Sequence, residues 1–208
     1  MKYDCIIIDT QLSNLHSVEN VCRKFNISYT TTNETKDLQC AKSIILPGVG
    51  SFKNAMKNLE ALDLKDRIID FSLSDKPILG ICLGMQLLME SSEEFGYTDG
   101  LGIIKGRVKK LSNKKVPSIP HVGWNKVTHQ FGDKSFFGNT FNADYFYFVH
   151  SLFVDPQDDL SFSCSTLFGE QSFCSSFGKD KIFATQFHPE KSGESGLSLC
   201  INFFNLIK

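Results

Sequence analysis

The segment Gly80-Ile81-Cys82-Leu83-Gly84 follows an apolar run and opens a helix-like stretch, as a nucleophile's position requires. It is the cysteine counterpart of the Gly-x-Ser-x-Gly elbow. A residue at the tip of a sharp strand-to-helix turn is held clear of the sheet, and the flanking glycines let neighbouring backbone pass close by. The helix N-terminus turns its unpaired N–H groups toward the sulfur and favours thiolate, while the N–H of Leu83 is placed to donate to an oxyanion. With 15 Gly and 7 Cys in 208 residues, this pattern arises by chance only ~0.04 times per chain, so coincidence is a poor explanation. The other six cysteines (Cys5, Cys22, Cys40, Cys164, Cys174, Cys200) read as small core side chains.

A cysteine nucleophile needs a base within reach, and five histidines are available: His16, His121, His129, His150 and His188. His188 ends the apolar run Ile182 to Phe187 and is followed by Pro189-Glu190. In extended chain, residues two apart project to the same side, so Glu190 can meet one ring nitrogen and leave the other for Cys82. Pro189 is expected to stiffen the dipeptide in that extended form. The carboxylate would then fix the tautomer and stabilise imidazolium. A second glycine turn, Pro47-Gly48-Val49-Gly50, is another place where backbone can approach a ligand.

The elements that must position these residues follow from hydrophobic spacing. Asp4 to Ile8, Ser43 to Leu46 and Pro77 to Ile81 read as buried strands. Helical stretches over Leu15 to Phe25, Phe52 to Leu59, Leu64 to Leu73 and Met85 to Glu90 separate them. This alternation predicts an α/β fold with a central, mostly parallel sheet flanked by helices. After about residue 100 the texture becomes β-rich and is expected to be mostly antiparallel: Ile103 to Leu111, Tyr145 to Val149, Leu160 to Leu167, Ser172 to Phe177 and Ile182 to Phe187. Glu194 to Ile207 closes the chain as a helix with Leu197, Leu199, Cys200, Phe203, Phe204 and Ile207 inward. Six basic residues between Lys105 and Lys115, flanked by Gly102, Gly106, Ser112 and Asn113, predict a solvated hairpin.

Composition narrows the function classes. The chain is 41% hydrophobic and carries 22 Lys+Arg against 23 Asp+Glu. One domain spanning 1–208 is expected, with nothing drawing it onto nucleic acid or an anionic membrane. The N-terminal apolar run is too short for a secretion signal, no window suits a membrane helix, and seven cysteines without a Cys-x-x-Cys pair fit reduced thiols. A cytoplasmic location is expected. Gly48-Val49-Gly50 lacks the third glycine of a dinucleotide loop, because position 53 is Lys. There is no His-Glu-x-x-His, and His121 and His129 have no partnering acids, so neither a cofactor nor a metal is expected.

The stretches Gly80 to Leu88 and Gln186-Phe187-His188-Pro189-Glu190-Lys191-Ser192 together resemble the class I, triad-type glutamine amidotransferases. Within that family, Pro47 to Phe52, Pro120 to Asn125 and Tyr147 to Ser151 are similar to the glutaminase subunits of imidazole glycerol phosphate synthases, from histidine biosynthesis. The resemblance covers about residues 4 to 205 and implies the class I glutamine amidotransferase fold. It also implies a triad of Cys82, His188 and Glu190, with backbone N–H groups of Leu83, Val49 and Gly50 as the oxyanion hole. By the same resemblance Gln86, Glu94, Ser151 and Leu152 hold the substrate, L-glutamine, the acid at its α-ammonium and Ser151 and Leu152 near its α-carboxylate. Asn14, His121 and Trp124 would face a (β/α)8-barrel cyclase that consumes the ammonia. The family usually has glycines ahead of the asparagine near the N-terminus, whereas Asp9-Thr10-Gln11-Leu12-Ser13-Asn14 has none. That departure keeps open an alternative partner, a related synthase amidating a cell-surface sugar.

Overall fold

Continuous apolar runs become strands buried on both faces, with alternate residues serving opposite cores. The computed structural model describes residues 3–12, 15–138, 141 and 143–207. Its first half runs β1 (Cys5–Ile8), α1 (Leu15–Lys24), β2 (Tyr29–Thr32), α2 (Thr35–Leu38), β3 (Ile44–Leu46), α3 (Phe52–Ala61), α4 (Leu64–Ser72), β4 (Ile78–Ile81) and α5 (Leu83–Leu87). The second runs β5 (Met89–Ser92), β6 (Thr98–Asp99), β7 (Ile104–Lys110), β8 (His121–Gly132), β9 (Ala143–His150), β10 (Leu152–Pro156), β11 (Phe162–Phe168), β12 (Gln171–Lys179) and β13 (Ile182–Thr185). A 3-10 turn (Pro189–Lys191) and α6 (Gly193–Asn205) follow.

Among the described residues these strands form one sheet, ordered β2-β1-β3-β4-β13-β12-β10-β7-β5-β6, with β11, β8 and β9 branching from β12. The first five strands are mutually parallel. The pairings β12 with β13, β10 with β12, β10 with β7, β11 with β12, β11 with β8 and β8 with β9 are antiparallel. Ile6, Ile8, Ile44, Leu46 and Ile78 pack with α3 and α4 on one side. Cys5, Ile7, Ile45, Leu79 and Ile81 pack with α1 and α6 on the other. The α/β architecture read from the sequence is the one observed.

Three local expectations are corrected. The helix over Met85 to Glu90 stops at Leu87, because the carbonyls of Leu87 and Leu88 accept from Leu101, Ile103 and Ile104, and Met89–Ser92 leaves as strand β5. The basic segment is no hairpin. Its first half is β7, an interior strand between β5 and β10 with Ile104, Gly106 and Val108 buried and Lys105, Arg107 and Lys110 outward. The His188 to Glu190 segment is extended only at His188 (φ −97°, ψ 95°) before Pro189 starts the 3-10 turn, since proline's fixed φ also suits a helical first position.

Gly84 carries the tightest approach in the elbow. A Cβ built there would lie 1.6 Å from Leu46 O, so α5 can sit on the end of β3 only with no side chain at this position. We expect Gly84→Ala to lower unfolding stability by about 3 kcal/mol or more, read by urea denaturation, because backbone rather than a flexible side chain must yield. A loss below about 0.5 kcal/mol would contradict this packing.

Candidate active site

Cys82 occupies the turn between β4 and α5 with φ 54° and ψ −107°, a conformation that costs a non-glycine residue about 1–3 kcal/mol. Its N–H donates to Thr185 O at 2.7 Å, the hydrogen bond next along from the Ile81–Thr185 pairing of β4 with β13. Three residues beyond Thr185, the His188 N–H donates to Tyr147 O at 2.9 Å, and Ser192 Oγ donates to His188 O at 2.6 Å. The histidine backbone is thus anchored both to β9 and to the turn before α6.

His188 Nδ1 lies 2.7 Å from Glu190 Oε1, with both side chains 4% exposed. The 3-10 turn does what an extended dipeptide was expected to do. Nδ1 is thereby committed, and the buried Nε2 has no hydrogen-bond partner of its own. Burial pulls the ring's pKa down from its ordinary 6.5, but the Cys82 thiolate and the Glu190 carboxylate together push it up to about 10. Sulfur, imidazole and carboxylate are therefore brought together. Elsewhere burial raises the thiols of Cys5, Cys164 and Cys200, and that of Cys174 to about 12, so these stay neutral and weakly nucleophilic.

A cavity of about 170 Å³ opens beside the sulfur, lined by Val49, Gly50, Leu83, Gln86, His150 and Ser151 among others. Ser151 and Leu152 also line a larger one of about 560 Å³ whose wall includes Glu94. Gln86, Ser151 and Leu152 thus line the cavity at Cys82, and Ser151 and Leu152 also line the second cavity, whose wall holds Glu94. Glu94 also has a role missed in the sequence: its Oε2 accepts from Phe52 N at 2.7 Å, placing the carboxylate at the N-terminus of α3, beside the Gly50 turn.

Two of the three N–H groups expected at the oxyanion position, those of Leu83 and Val49, are occupied. Leu83 N–H points to Gly48 O at 3.4 Å, and Val49 N–H donates to Leu12 O at 2.7 Å. Here the missing glycines have their consequence: Gln11 takes φ 61° without being glycine, its N–H held by Asp9 Oδ1 at 2.8 Å, and the loop then offers Leu12 O to Val49. Asp9 replaces glycine's conformational freedom with a side-chain hydrogen bond.

Of the expected partner-facing residues, Trp124 is 56% exposed, beside exposed Val122 and, across the β8–β9 pairing, Val149. Val149 also borders the Cys82 cavity. Asn14 lies outside the described residues. The expectation for His121 is corrected: the ring is 2% exposed, stacked against Phe148 and Phe168, because position 121 of β8 points to the core face while 122 and 124 point out. It belongs to a buried polar chain. Leu152 O can only accept, so His150 Nδ1 carries the proton it donates there at 2.7 Å. His150 Nε2 then accepts from His121 Nδ1–H at 3.0 Å, and His121 Nε2 accepts from Asn125 Nδ2 at 3.3 Å. Both rings are neutral, burial lowering His121 to about 4 and His150 to about 3.

Sequence reasoning also passed over Gln186, which is fully buried and donates through Nε2 to Cys82 Sγ at 3.7 Å. The available signal was its place two residues before His188, on the same side of extended chain.

The family model "Glutamine amidotransferase class-I" matches residues 6–206. The chain belongs to the class-I glutamine amidotransferase family. This amidotransferase is 46% identical over 201 residues to the imidazole glycerol phosphate synthase subunit HisH of Methanocaldococcus jannaschii, covering 97% of this chain and 98% of the relative. It is 44% identical over 204 residues to subunit HisH 1 of Campylobacter jejuni, with 96% and 98% covered. To subunit HisH of Prochlorococcus marinus it is 41% identical over 202 residues, with 97% and 94% covered. Among solved structures, PurLQS from Thermotoga maritima shares the fold with TM-score 0.73 and 19% identity over 100% of both chains. A further glutamine amidotransferase structure does so with TM-score 0.74 and 13% identity over 97% and 98%.

Because His121 and His150 are held neutral, their folded pKa values lie below the unfolded 6.5. Their contribution to stability is complete above pH 6.5 and is lost as pH falls through 6.5 toward 4, at up to about 1.4 kcal/mol per pH unit for each ring. Thermal unfolding of the amidotransferase should therefore weaken from pH 6.5 to 5, and His121→Gln should flatten that slope. An identical slope in the variant would contradict the assignment.

Proposed function

We propose that this chain is the ammonia-producing glutaminase subunit of a cytoplasmic imidazole glycerol phosphate synthase, working as a single domain beside a (β/α)8-barrel cyclase. The observation that carries the reading is the His188–Glu190 pair beside Cys82, whose sulfur borders a cavity lined by Gln86, Ser151 and Leu152, with Glu94 in the wall of a second cavity that shares Ser151 and Leu152. The names of the three relatives, matched over nearly their whole lengths, favour the histidine-pathway acceptor over a cell-surface sugar.

In this reading the Cys82 thiolate attacks the side-chain amide carbon of glutamine. The tetrahedral oxyanion collapses as His188 imidazolium gives its Nε2 proton to the nitrogen, the C–N bond breaks and ammonia leaves. Water then attacks the thioester while His188 takes its proton, the C–S bond breaks, and glutamate departs with thiolate restored. Glu190 holds the ring through Nδ1 and offsets its charge. Gln86, Ser151 and Leu152 position the substrate, with Glu94 facing its α-ammonium. Ammonia released into bulk water would be protonated, so its production is useful only beside a synthase.

The hydrogen bonds at Leu83 and Val49 say what that synthase must change. Gly48 O and Val49 N–H belong to one peptide, so turning that peptide over would withdraw the carbonyl from Leu83 and aim a second donor at the cavity. In our reading the partner does this on docking against Trp124, Val122 and Val149, which adjoin the site. We expect glutamate release to be slow in the isolated chain and to rise at least about a hundredfold with the barrel bound, because one oxyanion donor is worth about 10²–10³ in rate. Cys82→Ala should remove at least about a thousandfold of release in the complex while ammonia-driven synthesis by the barrel persists. Release at the unsubstituted rate would refute the nucleophile.

A further inference from the structure

Gln186 stands where β13 ends, with its side chain fully buried. Its amide is oriented by its neighbours. The carbonyl of Leu152 accepts from His150 Nδ1 and, at 3.4 Å, from Gln86 Nε2, so Gln86 presents its nitrogen on that side. The same nitrogen lies 3.1 Å from Gln186 Oε1 and gives it the second hydrogen. Gln186 is left with its nitrogen toward Cys82 Sγ, at 3.7 Å. The reverse orientation would set a carbonyl lone pair against the sulfur and two amide nitrogens against each other. As a thiol, Cys82 points its hydrogen at Val149 O, 3.9 Å away, a contact that turns repulsive once the sulfur is charged.

We propose that Gln186 is a further catalytic residue of this glutaminase, a buried neutral donor that stabilises the Cys82 thiolate before attack and again when the thioester is hydrolysed. A hydrogen bond to the charged form of a group favours that form, and a neutral donor does so without competing with His188 for its proton. The titratable groups facing the sulfur are His188, backed by Glu190, on the β13 side, and His150, backed by His121, on the β9 and β8 side. Gln86 and Gln186 between them are uncharged. His150 stays neutral above pH 5, so His188 and the Gln186 contact decide the charge on the sulfur near neutral pH.

The inference rests on Cys82 being the nucleophile, and its test separates the two ideas. Alkylation of the full chain by iodoacetamide, resolved to the Cys82 peptide by mass spectrometry, reads thiolate across pH without requiring turnover. In Gln186→Met, which keeps the side-chain length and loses the donor, the half-maximal pH of Cys82 labelling should rise by about one unit. With the barrel partner, kcat for glutamate release should fall about tenfold with KM for glutamine little changed. Gln186→Glu, nearly isosteric, places a carboxylate beside the sulfur and should move the midpoint further up; it decides the matter if the Met variant does not fold. A folded variant whose labelling midpoint matches the unsubstituted chain overturns the proposal, even where Tm or activity has dropped, because a purely structural role for Gln186 would leave the sulfur's protonation unchanged. If Cys82→Ala still releases glutamate while the Gln186 variants shift labelling, the nucleophile assignment fails and the Gln186–sulfur contact stands.

Discussion

The parallel pairing of β4 with β13 is the constraint on which the candidate site depends. It sets Ile81 opposite Thr185, so that Cys82 and His188, over a hundred residues apart in sequence, leave neighbouring strands at the same sheet edge. The bond from Cys82 N to Thr185 O extends that register by one residue into the elbow, where the backbone is strained. Strain of this kind persists only when its surroundings over-determine it. Here Gly84 lets α5 seat against Leu46, and a side chain at Gly80 would meet the backbone of Gly84 and Met85 at 3.0 Å. Both contacts seat α5 closely against the sheet.

The antiparallel half completes what the parallel half begins. β9 contributes Tyr147 O to the His188 backbone, Val149 and His150 to the cavity wall, and an outward face shared with Trp124 on β8. The hairpin's outward apolar surface thus reaches the reacting sulfur through Val149, which borders the cavity. Beneath it, hydrogen bonds run from Asn125 through His121 and His150 to Leu152 O, and from there through Gln86 and Gln186 to the sulfur. Buried polar groups are costly unless satisfied, and here the Leu152 carbonyl accepts from both sides, from His150 Nδ1 and from Gln86 Nε2, so that each donor finds an acceptor. The chain holds the carbonyl end of the substrate-binding segment and the nucleophile in one frame.

The sequence showed the elbow, the base and its carboxylate because each depends on local spacing: glycines two either side of a cysteine, and an acid two beyond a histidine. Three of the five parallel strands, β1, β3 and β4, were legible from unbroken apolar runs, whereas the run that became β13 was read with the antiparallel half. What escaped detection depended on long-range pairing. β2 is three half-buried residues followed by buried Thr32, with no apolar run, and Met89–Ser92 continues a helical pattern until its pairing with β7 makes it a strand. His121 read as a surface residue because its motif did, yet strand alternation sends it inward between Phe148 and Phe168. The Gly48–Val49 peptide orientation is set by Leu12, far away in sequence, and no local pattern encodes it.

The most direct test of the account is the titration of His188 by NMR in the intact chain and in Cys82→Ala. With its folded pKa raised, this ring should add stability fully below pH 6.5 and lose that contribution as pH rises toward 10. If sulfur and imidazole form one charged pair, the His188 signal should stay that of imidazolium through neutral pH with a midpoint near 10, and the midpoint should fall once the sulfur is removed. A midpoint near 6.5 in both proteins would mean that the thiol and the ring do not meet, contradicting the account at its centre.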